Sequence, residues 1–348
     1  MVMPSVPGHP PQQAGGVPPP SAPPDVLACE YVSAAVTGIW SPRTQVVLER
    51  RLWLTVLRAQ CEEGLAVPAG ALAAYARVVG LVDLDAIRRR ERHTRHDLKA
   101  RLEEFNALAG HQHIHKGLTS CDITDNVMQA RVRMSLAHLG GRAAGLVALL
   151  GHASGPPPRG RGEAAAVLDS AGRRLGAVLE RYPLRGIKGP VGTAQDMLDL
   201  LGGDTAALAR VERRVREHLG FSRVLDCTGQ VYFRSLDHEI LCALADFTAA
   251  ASAAARRAAP GACEAVACAA AFAVLARGYA VMAAQLAGEQ WNEGDVSCSV
   301  VRRVALPGAV QAADAALAQV EEIATARPGG GLRGAAGGRR AGRPPGRR

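Results

Sequence analysis

The 348 residues could form two domains at roughly 100–200 residues each, and 48% apolar side chains supply a sizeable core. Aromatic residues make up only 4% while alanine and leucine abound, a balance that favours helix because those two lose little rotamer freedom there. The net charge of +9 does not mark a folded basic surface: seven arginines after Ala326 (Arg327, Arg333, Arg339, Arg340, Arg343, Arg347 and Arg348) carry most of it and leave +2 on the rest. Such a tail neutralises phosphates without reading sequence, and no basic face with interleaved aromatics accompanies it, so specific nucleic-acid binding is not expected.

Taken in chain order, residues 1–28 are Pro/Gly-rich and too poor in apolar residues to offset ordering entropy, so disorder is expected. From Ser41, a plausible N-cap followed by Pro42, apolar residues recur at helical spacing up to Gly64. The spacing predicts further helices over 69–79 and 83–106, then a His-rich turn over 110–120. Asp122 or Thr124 should cap a long helix to about Leu150, and helices are expected over 164–181, 195–219, 235–255, 262–286 and 309–326. No segment alternates with period two for long enough to demand a central strand. The expectation is therefore an all-α chain: a small helical N-terminal domain over 29–110, then a long-helix bundle over 111–326, then a disordered Arg/Gly-rich tail over 327–348.

Eight cysteines without a CxxC pair, and an N-terminus without a charged-then-apolar leader pattern, fit reduced thiols in a cytoplasm. The longest apolar run, Ala265 to Ala287, carries Arg277, which is costly at a bilayer centre. It reads as a buried helix of a soluble bundle, and no membrane partner is expected. His111, His113 and His115 alternate as metal ligands can, but no carboxylate or cysteine nearby completes a set, so no metal is expected.

Four stretches (1–28, 153–170, 249–276 and 327–348) are dominated by Ala, Gly, Pro and Arg, the residues that GC-rich codons write in any reading frame. Disruption of the bundle at 153–170 and 249–276 is the expectation.

Three blocks carry the chemistry: TRHDLKARLEEFNALAGHQHIHKGLTSCDITDN (94–126), RYPLRGIKGPVGTAQDMLDLLGGD (181–204), and TGQVYFRSLDHEILCAL (228–244) joined by GEQWNEGDVSCSVVRRVALP (288–307). In order and spacing they resemble the adenylosuccinate lyases of the fumarase/aspartase superfamily across most of 31–307. The resemblance implies an all-α fold of that type, four subunits with each active site at a subunit junction, and no metal or organic cofactor. It implies β-elimination of fumarate from adenylosuccinate and from the succinyl-carboxamide purine intermediate, with a purine nucleotide as the small-molecule partner.

Residue by residue, the resemblance gives substrate-binding roles to Tyr31, Arg95, His96 and Asp97. It places His115 at the head of the HxGLTS loop, with Thr119 and Ser120 offering hydroxyls to the succinyl carboxylate. Lys188 lies among Gly186, Gly189 and Gly192, where a backbone can approach an anion closely, although a plain inter-helix turn reads equally well from the residues alone. Gln230 matches a substrate-binding glutamine, and Arg234 follows one turn later if the segment is helical. Ser299 and Arg303, at i and i+4, match a phosphate-binding serine and arginine, for which a guanidinium fork is suited. Arg302 reads as part of a solvated face.

The resemblance fails where acid and base should stand. Counting ten residues back from Gly172 places the family's acid histidine on Gly162. Anchored on Pro260, the family's serine loop becomes AASAAARRAAP, which puts the base at Ala251 with Ser252 beside it, while Arg257 and Ala259 replace a lysine and an asparagine. Cys263-Glu264-Ala265 replaces a phosphate-binding triplet, and Glu30 replaces an arginine before Tyr31, exchanging attraction to phosphate for repulsion. The family continues after ALP (305–307) into a third helical domain, expected to be missing here. A positioned acid or base contributes roughly 10²–10⁴-fold, so weak or no turnover is expected. Two further readings stay open: a non-catalytic homologue that binds nucleotide or serves an intact partner subunit, and frame shifts within the disrupted stretches.

Overall fold

The computed structural model describes residues 26–151, 160–261, 263–285 and 290–326, and every element among them is a helix apart from one isolated bridge, Leu184 to Val224. The all-α expectation holds. The expected disorder of 1–25 and of 327–348 lies outside the described residues, while Val26–Glu30 forms a short helix, α1.

Helix α2 (Ala34–Trp40) is capped by Ser33 and runs into α3 (Pro42–Glu62), where the Ser41 hydroxyl accepts from Thr44 N–H at 3.1 Å and Pro42 takes the first turn. One face of α3 buries Leu52, Trp53, Val56 and Leu57. After α4 (Ala71–Val78), the single helix expected over 83–106 proves to be two, α5 (Leu84–Thr94) and α6 (Asp97–Ala109). Arg95 closes α5 at φ 50°, and the extended His96 caps α6. The apolar rhythm runs through this break, and histidine is a poor advertisement for a cap.

The bundle opens with α7 (Ser120–Gly151). Its cap is not Asp122 or Thr124; the helix begins at Ser120, and Asp122 reaches back from the third position to accept from Thr119 N–H at 2.8 Å, half of a capping box. Helix α8 (Arg161–Arg181) follows. The helix expected over 195–219 splits into α9 (Gln195–Leu200) and α10 (Thr205–His218), because Gly202 and Gly203 take left-handed φ and Asp204 caps a fresh start. Arg210 and Arg214 then tie α10 to Glu63 and Glu62 at the end of α3.

Helices α11 (Ser235–Ala258) and α12 (Glu264–Ala284) cover 249–258 and 264–276 of the stretch that was expected to disrupt the bundle, and α8 takes in 161–170. The correction has a physical reason: alanine is the best helix former, and its small side chain lets helix axes approach. Ala251, Ala254, Ala255, Ala269 and Ala276 are all fully enclosed. Helix α13 (Val296–Thr325) starts well before the expected 309 and carries Pro307 within it. Gly308 lies against the Tyr279 ring, where a Cβ would overlap it.

Ion pairs fix the directions. Arg181 pairs with Glu239 and Arg174 with Asp246, so α11 runs antiparallel to α8; Arg302 pairs with Asp125 and Arg142 with Asp314, so α13 runs parallel to α7. The starts of α7, α11 and α13 therefore meet at one end of the bundle. A continuous apolar core extends from Trp53, Tyr75 and Phe105 into the bundle helices. Helices α7 and α12 are long and apolar enough to cross a membrane by length and composition alone. Both pack in the bundle, α7 with Asp122, Asp125 and Arg131 buried. Helix α12 is only half covered: Ala265, Phe272 and Ala280 face inward while Val274, Leu275, Val281 and Met282 are exposed, which corrects the reading of a buried helix.

Candidate functional site

At the end where α7, α11 and α13 begin, the three sequence blocks converge on a framework of buried charge. Asp122, fully enclosed, accepts from Arg185 and from the backbone N–H groups of Lys188 (2.9 Å) and Gly189 (3.2 Å) through one oxygen, and from Thr119 through the other. Arg185, equally enclosed, also donates to the carbonyls of Gly189 (3.1 Å) and Gln230 (2.7 Å). One ion pair thus joins the 115–120 turn, the glycine-rich loop and the segment carrying Gln230. Gly192 permits this approach: its φ is 89°, and a Cβ there would strike the Thr228 carbonyl.

A second buried group lies beneath. Asp125 is paired with Arg234 (3.3 Å) and Arg302 (3.2 Å), and Arg302 also meets Asp237 and donates to the Tyr232 hydroxyl at 2.6 Å. Burial opposes the charge of Asp125, but the two guanidiniums and Arg185 outweigh it and hold its carboxyl below the usual range. Arg302 is therefore no solvated face; its side chain, 11% exposed, is a largely enclosed tie between α13, α7 and α11. Arg234 belongs to the same network, with its guanidinium over the Tyr232 ring at 4.4 Å and its Nε donating to Gln290 at 2.6 Å. It does not follow Gln230 on a helix, since α11 starts only at Ser235.

Above this framework sits the partly open cluster. The His96 imidazole accepts Lys99 N–H on Nδ1 at 3.4 Å, which leaves the Nε2 proton facing Ser120 Oγ at 3.5 Å. The neighbouring Asp97 does not fix this tautomer: its Oδ1 lies 3.6 Å from Nδ1 and its Oδ2 accepts from Arg101 at 3.1 Å. The helix cap sets the tautomer instead. Burial raises the Asp97 carboxyl, yet Arg101 and the Leu98 N–H outweigh that and hold it below the usual range. Arg303, 69% exposed at its side chain, approaches Asp97 Oδ2 at 3.8 Å. Ser299 lies one turn before it on α13, partly buried.

His115 accepts the Trp53 indole N–H on Nδ1 at 3.0 Å, and burial pushes its pKa down, so it stands as a neutral imidazole near His96. Thr119 and Ser120 open α7 beside it. The Gln230 side-chain oxygen accepts from Glu293 N–H at 2.9 Å, which draws the 290–295 turn onto the cluster. His96 and Ser120 from the first block and Gln230 and Arg303 from the two parts of the third thus meet within one chain.

Other expected members stand elsewhere. Lys188 turns its ammonium to Glu212 at 2.9 Å, toward α10 and away from the cluster. Arg95 is exposed at the α5 terminus. Tyr31 packs edge-on to Phe272 at 5.2 Å, midway along the bundle. The positions aligned with acid and base lie at the opposite end. Gly162 is in the first turn of α8, and Ala251 and Ser252 are buried inside α11, which corrects the expected loop to continuous helix. Ala251 is sixteen residues along α11 from Ser235, about 24 Å at the helical rise. Arg256, Cys263 and Glu264 at that far end line a surface groove of about 520 Å³.

Sequence reasoning missed Glu293, Asp122, Arg185 and Asp125 as organisers. The only signal available was their place inside quoted blocks, because a buried ion pair between residues sixty positions apart leaves no local pattern.

No family model matches the chain. It is similar to the adenylosuccinate lyase of Saccharomyces cerevisiae, 28% identical over 86% of this chain and 72% of that enzyme. Against the adenylosuccinate lyase of Schizosaccharomyces pombe it is 27% identical over 65% of this chain and 52% of that one, so it spans about half of that relative's length. Among solved structures, its fold matches a fumarate lyase from Mesorhizobium sp. BNC1 at TM-score 0.69 and 17% identity, covering 84% of this chain and 75% of that one. It also matches β-carboxy-cis,cis-muconate cycloisomerase from Acinetobacter calcoaceticus at TM-score 0.71 and 17% identity, covering 86% and 77%. The sequence is thus similar to adenylosuccinate lyases, and the fold is that of these two solved structures.

Proposed function

We propose that this chain descends from adenylosuccinate lyase and retains the half of the site that holds the nucleotide's anionic groups. The observation that carries the reading is the meeting of His96, Ser120, Gln230 and Arg303 at one end of the bundle. Their neutral, amide and cationic donors face a common region. A carboxylate there would accept from Ser120 Oγ and the His96 Nε2 proton, and a phosphate would draw on Arg303 and Ser299.

The elimination also needs a base to remove the carbon-bound proton and an acid to protonate the departing nitrogen. Gly162 and Ala251 offer neither group, so the reading includes weak or absent turnover. In a homotetramer, the far end of one bundle could approach the His96 end of another. The exposed apolar side chains of α12, with Val300 and Val304 of α13, support association of copies. The reading keeps 29–110 as an N-terminal lyase domain, and places the protein in the cytoplasm, where its thiols would stay reduced.

Titration of the purified chain with AMP and adenylosuccinate, alongside optical assay of fumarate release, tests the proposal. Binding with little or no release is expected; release at the rate of an intact family enzyme overturns the loss of acid and base. A second reading, a partner for a complete lyase, follows from the same anion-binding end. Co-purification of mixed assemblies with an intact lyase supports it, and strict self-association counts against it.

A further inference from the structure

A line of charge leads from the interior of the N-terminal helices to the site. Glu49 of α3, fully enclosed, meets Arg101 Nε of α6 at 2.6 Å and accepts from the Gln45 amide at 3.1 Å. Arg50, its neighbour on α3, is engaged instead with Glu104 and the carbonyls of Val78, Val79 and Leu81. One turn back along α6, Asp97 Oδ2 accepts from a second nitrogen of the Arg101 guanidinium at 3.1 Å, while its Oδ1 accepts from Leu98 N–H at 2.6 Å. Arg303 then reaches Asp97 Oδ2 at 3.8 Å from α13. Side-chain exposure rises at each step, from 0% at Glu49 through 10% at Arg101 and 34% at Asp97 to 69% at Arg303. Two carboxylates on one guanidinium are not needed to join α3 to α6, because apolar side chains of similar volume often pack such a contact as well. The line of charge ends where an anion can arrive.

We infer that Arg101 is a positioning residue for anion binding: anchored on buried Glu49, it fixes the Asp97 carboxylate, and Asp97 in turn holds Arg303 beside His96. This inference rests on the phosphate-binding role proposed for Arg303. A long exposed side chain spreads over many rotamers, and ordering it at the moment of binding lowers affinity. A carboxylate already fixed in place supplies that order beforehand. Lysine at position 101 keeps a positive charge opposite Glu49, but a single ammonium lacks the planar fork that serves two carboxylates at once. That substitution separates the anchoring of Asp97 from the need to neutralise Glu49.

The test is a double-mutant cycle on the full chain: parent, Arg101→Lys, Arg303→Ala and the two together, each titrated with AMP. Arg101→Lys should weaken AMP binding about fivefold when Arg303 is present and less than about 1.5-fold when it is replaced, the signature of a residue that acts through Arg303. Equal weakening in both backgrounds, which a merely structural role gives, overturns the inference, as does no weakening at all. If Arg101→Lys fails to fold, Glu49→Gln combined with Arg101→Gln, which removes both buried charges together, takes its place in the same cycle. If the parent binds no AMP, the nucleotide reading fails on its own, and crystal structures of the parent and the variant decide the anchoring. Arg303 turned away from Asp97 in the variant sustains it, and an unchanged contact overturns it.

Discussion

The two ends of the bundle are built on opposite principles. Where α7, α11 and α13 begin, Asp122, Asp125, Arg185 and Arg234 are buried and paired, with the largely enclosed Arg302 sharing Asp125. Where α8 begins and α11 ends, alanine fills the core, and Gly160 lies so close to the Arg257 carbonyl that a Cβ would collide with it. Packing alone needs only small apolar side chains, and the alanine end shows how simply it is met. Charges are buried at the other end because they fix three distant segments around one point, which apolar contacts do with less angular precision.

The sharpest way to break this contrast is Asp125→Ala, which leaves Arg234 and Arg302 buried without their shared carboxylate. Breaking a buried pair in this way costs about 3–5 kcal/mol, read as a lower urea midpoint. A loss below about 1 kcal/mol, the range of surface pairs, would mean that the framework does not hold this end together. Next comes Gly160→Ala, whose Cβ meets backbone at a φ of 99°; about 2 kcal/mol of destabilisation is expected from such strain. A variant as stable as the parent would show that the two helix ends yield to each other.

Ala251→Ser restores the aligned serine and tests the far end chemically. Because position 251 is fully enclosed in α11, the change buries a hydroxyl at a cost of about 1 kcal/mol and produces no fumarate release. Appearance of release would place the site at the alanine end. Arg303→Ala removes an exposed side chain, so stability should move by less than about 0.5 kcal/mol, while AMP affinity falls about tenfold on losing a charge-assisted contact to phosphate. Unaltered AMP binding removes Arg303 from the site.

The smallest effect concerns acid. Asp97 has a folded pKa held below its unfolded value of 3.8, so its contribution is complete above that value and lost as pH falls through the lower folded pKa. Asp97→Asn should therefore flatten the stability profile only at that acidic limb. A change confined to neutral pH would assign the titration to another group.

The sequence by itself determined the helical class, most helix positions and the blocks that supply His96, Ser120, Gln230 and Arg303, because apolar spacing, caps and glycines act over a few residues. It read the breaks at Arg95 and Gly202 as continuous helix, and the Ala-rich stretches as damage, since local rhythm does not reveal where a chain turns or what covers it. Only the tertiary structure decided that Arg302 is largely enclosed while Arg303 is free to meet solvent, that Lys188 turns to Glu212, and that the Glu293 N–H reaches Gln230. Each of those outcomes depends on which charge arrives from a helix tens of residues away, and Coulomb attraction in a buried, water-poor site is set by that distance rather than by order along the chain.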